Sequence, residues 1–214
     1  MKMSPYKPDY DKLFKCSDID STRPFKAGIE ADFDYSCALL RGDITPSETI
    51  EVRHLRGTHT PALAIHTGFS LLLHDSIIET FIQNQITGWK PFRITLYGKN
   101  DEIIPNYSGI SILGRCNPLD YHRSGIVHKE YPGGIFPRFK GSYFKDDAWD
   151  GTDIFMDNPD ERGYTLNQYV SVRVKDIFTS FKIKNLQLTK LTETEIDVMI
   201  IKSGSPERVP ENLR

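Results

Sequence analysis

Seven carboxylates, Asp146, Asp147, Asp150, Asp153, Asp157, Asp160 and Glu161, stand between positions 146 and 161 with no lysine or arginine among them. Crowded acids can bind calcium, share protons in acid–base chemistry, or present a charged face to a basic partner. A calcium loop takes acidic ligands at alternate positions and glycine at the sixth; counted from Asp146, Gly151 is sixth but Ala148 occupies the third position, so that pattern fails. General acid–base work needs a basic or hydrogen-bonding partner that the sequence does not place. A solvated acidic loop is the plain reading. The functional one is a partner-binding patch of Asp146, Asp147, Trp149, Asp150 and Asp153, with Phe155 alongside, because an aromatic anchor ringed by acids suits a basic partner surface. Trp149 serves equally well as a core residue that holds the loop down.

Gly109-Ile110-Ser111-Ile112-Leu113-Gly114-Arg115-Cys116 lies close to two catalytic motifs and fits neither. A nucleophile elbow needs glycine two residues either side of the serine so that the backbone can turn sharply, but position 113 is leucine. A phosphate loop needs lysine and serine or threonine after its second glycine and then a helix; Arg115, Cys116, Asn117 and Pro118 follow instead. His54, His59, His66, His74, His122 and His128 show no close metal-binding spacing with one another or with Cys116. These residues point to no catalytic centre, no metal and no cofactor.

Basic and acidic residues number 27 and 29, giving a formal net charge of −2, which is no footprint for a nucleic-acid binder. Cys16, Cys37 and Cys116 are odd in number and widely spaced, as in a reducing compartment. The first residues lack the apolar run of a signal peptide, and no stretch approaches the roughly 20 apolar residues of a membrane span. The expectation is a cytoplasmic protein without membrane or nucleic-acid partners.

The elements that must position these residues are read from periodicity. Ser76 and Glu79 form a capping box for a helix to about Ile86, with Ile77, Ile78, Phe81, Ile82 and Ile86 on one face and Gly88 as its left-handed stop. A strand precedes it at 69–73 and another follows at 92–97; a further strand is expected over 107–113. Ser171 opens a second helix with Val174, Ile177, Phe178 and Phe181 inward, Asn185 in the place of Gly88, and a strand at 186–189. The matching caps Ser76 and Ser171 suggest a weak internal duplication. Loops and short strands are expected over the first 50 or so residues, and long ordered loops from Asn117 to Arg162. The fold class expected is α+β: one domain over 1–202, two strand-helix-strand units sharing a mixed or antiparallel sheet, and a flexible tail over 203–214.

Several blocks in order carry a family likeness: Ile86-Thr87-Gly88; Ile112-Leu113-Gly114-Arg115 with Leu119-Asp120-Tyr121 and Ser124; Trp149-Asp150-Gly151-Thr152-Asp153-Ile154-Phe155; and Val170-Ser171 with Val174-Lys175-Asp176 before Ile183-Lys184-Asn185-Leu186. In these the chain resembles bacterial immunity proteins of polymorphic toxin systems, a family long described only as a domain of unknown function. The likeness covers roughly residues 68–192, matches poorly over 1–65, and is most specific in the Trp-Asp-Gly-x-Asp-x-Phe block. It implies a cytoplasmic antidote that binds and neutralises a cognate toxin without catalysis, its motif residues serving structure. The competing expectations are a hydrolase or metal-dependent enzyme built on the 146–161 carboxylates, and a self-associating structural protein with a large apolar patch.

Overall fold

Alternation decides where the two large sheets bury their residues. In the computed structural model, residues 7–19, 21–68, 70–159, 166–204 and 210–211 are described. In chain order the elements are β1 (Leu13–Asp18), β2 (Lys26–Ile29), α1 (Phe33–Arg41), β3 (Ile50–Arg56), β4 (Ala64–His66), β5 (Leu71–His74), α2 (Asp75–Gln83), β6 (Trp89–Tyr97), β7 (Ile103–Ile104), β8 (Tyr107–Ile112) and β9 (Gly114–Cys116). They continue as β10 (Gly125–Tyr131), β11 (Gly134–Lys140), β12 (Ile154–Asp157), β13 (Gln168–Ser171), α3 (Val172–Ser180), β14 (Leu186–Lys190), β15 (Glu195–Asp197) and α4 (Val198–Gly204). The class is α+β with mixed sheets.

One sheet runs β2-β3-β6-β8-β5-β4, with β7 beside β6; a second runs β14-β1-β13-β12-β9; a third is β10-β11-β15. Pairing is antiparallel except for β3 with β6 and β9 with β12. Both larger sheets are buried on two sides, so their central strands read as continuous apolar runs rather than alternating ones. Leu71 and Leu73 face the central core with Phe81 and Phe178, while Leu72 between them faces Phe25, Val52 and Leu96. Ile154 and Met156 join the central core, while Phe155 packs with Phe144 and Tyr169 on the far side.

The runs β5-α2-β6 and β13-α3-β14 lie in different sheets rather than sharing one, because each encloses an antiparallel strand of its own. Between β5 and β6 lies β8, where Ile110 faces both Leu71 and Pro91. Between β13 and β14 lies β1, where Cys16 faces both Gln168 and Leu188. The helices also end alike. Gln85 (φ 52°) and Lys182 (φ 55°) adopt the left-handed conformation, and Ile86 N donates to Phe81 O at 2.9 Å as Ile183 N does to Phe178 O at 3.0 Å. The expected stops Gly88 and Asn185 therefore lie beyond the helix ends.

The caps differ from expectation for a local reason. β5 runs straight into α2, so the residue with extended backbone at the junction is His74, whose Nδ1 accepts from Ser76 N at 3.2 Å; Ser76 lies inside the first turn and no capping box forms. His74, not Ser76, thus matches Ser171. Ile82 is 64% exposed because it lies one turn beyond Ile78, already at the edge of the buried face. The N-terminal part, expected to be loops and short strands, also holds a helix: α1, capped by Asp32 and stopped by Gly42 at φ 72°. The 117–162 region holds the β10–β11 hairpin and β12 rather than loops alone. The start of the expected tail, 203–204, closes α4, whereas 205–209 and 212–214, like Asp160, Glu161 and Phe69, lie outside the described residues. Among the described residues no helix is long and apolar enough to cross a membrane.

Phe81 and Phe178 are both fully buried, with ring centroids 5.9 Å apart. Replacing either with alanine is expected to cost about 3–5 kcal/mol in denaturant unfolding. The double variant should lose less than the sum of the two, since each single change already breaks their contact; strict additivity would mean that the two helices do not bear on each other.

Candidate functional site

The acidic block lies where the two larger sheets meet, and its carboxylates are largely occupied by internal donors. Asp153, 5% exposed, accepts from Thr87 N (3.1 Å), the Thr87 hydroxyl (3.2 Å), the Ser171 hydroxyl (2.7 Å) and Arg173 (2.8 Å). Ser171 spends its hydroxyl there and so does not cap α3. Asp150 accepts from Arg115 N at 2.6 Å and, through its other oxygen, from Thr152 N and Oγ1. Asp147 accepts from the Tyr10 hydroxyl at 2.7 Å and from Arg123 at 2.6 Å. Burial pushes the Asp147 carboxyl up, but the hydrogen bonds from Tyr10 and Arg123 outweigh it and hold the group below 3.8. Trp149 is half-buried, its ring 5.4 Å from that of Phe155. Asp146 is exposed, at a left-handed backbone position (φ 59°).

Of the expected docking residues, Asp146 and Asp150 are exposed, Asp147 is half-buried, and Trp149 and Asp153 line one shallow pocket. Asp147, Asp150 and Asp153 each serve a different internal junction, and a carboxylate whose lone pairs are filled by the fold has few left for a partner. Sequence reasoning missed Thr87, Ser171, Arg173, Arg115 and Tyr10 as the partners of this block. No local signal marks them, since each is far away in sequence.

The near-motif 109–116 becomes β8 and β9. Its glycines are there for close packing: a Cβ on Gly114 would stand 2.0 Å from Thr152 Oγ1, and one on Gly109 would strike the Phe92 ring. The three cysteines are buried; burial pushes the Cys16 thiol up to about 12 and that of Cys116 well above its usual value, so neither is a ready nucleophile. Among the described residues no three His, Cys, Asp or Glu side chains are placed to hold a metal.

The surface that stands out is the β10–β11 hairpin. Its strands pair without a break from Gly125↔Lys140 to Tyr131↔Gly134 around Pro132 and Gly133. Pro132, with its fixed φ, and Gly133 make the two-residue loop, and Gly134, the strand residue after it, adopts φ 126°, which favours glycine. At the base, buried Phe139 stacks on Tyr121 at 5.1 Å and fixes the hairpin to the core. Away from the base the strands leave the core. Ile135 is 67% exposed, with Tyr131, Phe136 and Ile126 also open to solvent. β15 pairs with β11 only from Arg138 to Lys140. On that side Lys129 and Arg138 both pair with Glu195, and Arg138 also donates to the Tyr131 hydroxyl at 2.9 Å. Hydrogen bonding from Lys129 and the nearby charges of Arg138 and Lys140 hold the Glu195 carboxyl below its usual value.

Two outcomes check the internal role of the acidic block. Asp153→Ala removes one acceptor from four donors and is expected to cost about 3 kcal/mol in chemical unfolding; a loss under about 1 kcal/mol would return Asp153 to the list of docking residues. Because the folded Asp147 pKa is depressed, its contribution to stability is present above 3.8 and lost as pH falls through the lower folded value. Asp147→Asn should flatten that part of the acid-unfolding curve, and an unchanged curve would mean that Asp147 carries none of it. No protein-family model matches the chain, and no curated protein matches it either.

Proposed function

We propose that this protein is a cytoplasmic antidote that binds a cognate protein toxin and neutralises it by occupying a surface of that toxin, without chemistry of its own. The observation that carries this reading is the β10–β11 hairpin. It holds Ile126, Tyr131, Ile135 and Phe136 out in solvent on an arm anchored to the core by Phe139 at its base. Exposing four large apolar side chains on one hairpin is costly in water unless a partner covers them, and aromatic residues flanked by cations are the composition of an interface centre. The likeness to toxin-immunity proteins supports the same reading from the sequence. Its most specific block is the one whose carboxylates bind the protein to itself, which fits motif residues that maintain the fold while recognition lies elsewhere. The neutraliser reading is preferred to the enzymatic alternative on the 146–161 carboxylates because Asp147, Asp150 and Asp153 each accept from donors in a different part of the fold.

The test is co-expression with the product of the adjacent gene. The intact protein should protect cells and co-purify with that product as a stoichiometric complex. The double variant Ile135→Asp, Phe136→Asp should lower affinity by about tenfold or more with an unchanged unfolding midpoint, since both side chains are surface residues. Full affinity in that variant would remove the arm from the interface, and no protection by the intact protein would overturn the reading itself.

A further inference from the structure

Among the described residues no strand pairs with the outer edge of β10, and we infer that this edge receives an extended, acidic strand of the partner protein as a fourth strand of the β10-β11-β15 sheet. The inference rests on the neutraliser reading and specifies how the partner is held.

Main-chain geometry comes first. β10 ends its sheet, runs seven residues without proline, and keeps even register along its whole length. In a hairpin closed by a two-residue loop, Tyr131 and Gly134 exchange both their bonds, so Lys129 and Val127 also bond inward. Ile126, His128 and Glu130 then aim their N–H and C=O groups away from β11. Pro137 agrees with this phase. It lies opposite His128, at a β11 position turned away from β10, and β15 stops one residue short of it, so its missing N–H costs no ladder bond.

Proteins usually guard such an edge by shortening, bulging or covering it. The other sheet ends here follow that rule: β4 and β9 have three residues each, β2 has four with a register shift, and the start of β14 is tied to β4 by Asn185 donating to Ala64 O. Of the sheet ends described, β10 with seven residues is the longest, against five in β14 and three in β15.

Charge selects the occupant. Lys129, Arg138 and Lys140 share one side of the hairpin with Glu195 and Asp197, three cations against two carboxylates, and Asp197 already accepts from Met199 N. A strand laid along β10 would set its side chains beside Val127, Lys129 and Tyr131 on that side. An acidic side chain flanked by apolar ones complements that row, and basic ones would repel it.

The experiment uses the whole protein with a fluorescein-labelled peptide alternating valine and glutamate. The same peptide with lysine in place of glutamate and a short oligouridylate are the comparisons, all read by anisotropy. The glutamate peptide should bind about tenfold or more tightly than the lysine peptide and weaken as salt rises. His128→Pro, which removes an outward N–H, should lose that binding. Lys129→Glu should shift preference to the lysine peptide, an exchange that a merely disordered arm would not produce. Equal binding of the two peptides, binding of oligouridylate alone, or unchanged glutamate-peptide binding in both variants would overturn the edge assignment. Toxin neutralisation retained by both variants would also overturn it while leaving the neutraliser reading in place, whereas failure of the intact protein to neutralise would overturn that reading instead.

Discussion

The buried carboxylate of Asp153 ties its own segment to two others, the turn at Thr87 and the β13–α3 junction, that are distant from it in sequence. It takes donors from Thr87 in the turn after α2, from Ser171 at the end of β13 and from Arg173 in the first turn of α3. A carboxylate taken out of water is costly unless its lone pairs are filled, so the group holds its surroundings to one geometry. The backbone nearby is as constrained. Ile154 N donates to Thr87 O, and a Cβ on Gly88 would come within 2.1 Å of Ile154 O. The Trp-Asp-Gly-x-Asp-x-Phe block is thus a clamp between the two larger sheets.

That clamp joins two arrangements of the same kind. In each, a strand leads into a nine-residue helix that is stopped by a left-handed residue, and the chain returns on the far side of an antiparallel strand. The arrangements differ in where the enclosed strand comes from. β8 follows β6 closely, whereas β1 is the first strand of the chain and lies between strands that begin at Gln168 and Leu186. Closing the second sheet therefore requires contacts across most of the chain, a topology in which loop-closure entropy is met before the pairing that offsets it.

Whereas Asp147 and Asp153 are bound to internal donors, the β10–β11 hairpin is an element with little core of its own. The hairpin is fixed by Phe139 at its base and by the Glu195 ion pairs along one side, while Tyr131 and Phe136 contact each other and, with Ile126 and Ile135, remain open to solvent. A short anchored ribbon of this kind exposes main-chain and side-chain groups together; on the proposed reading a partner would meet both.

Local order was legible in the residues themselves. The period of Ile77, Phe81, Val174 and Phe178 marked both helices, and the alternation at 92–97 and 107–112 marked strands, because these patterns depend only on neighbours a few positions away. The α1 caps Asp32 and Gly42 and the Pro132-Gly133 turn were equally local signals, masked by the surrounding prolines and aromatics. What only the tertiary structure decided was which side chains meet. Asp153 and Thr87, Asp147 and Tyr10, Asp150 and Arg115 are brought together by sheet pairing across long stretches of chain. A carboxylate in a sequence carries the same charge whether it faces water or four donors, so the acidic run could not show that Asp153 is an internal clamp while Asp146 and Asp150 stay exposed.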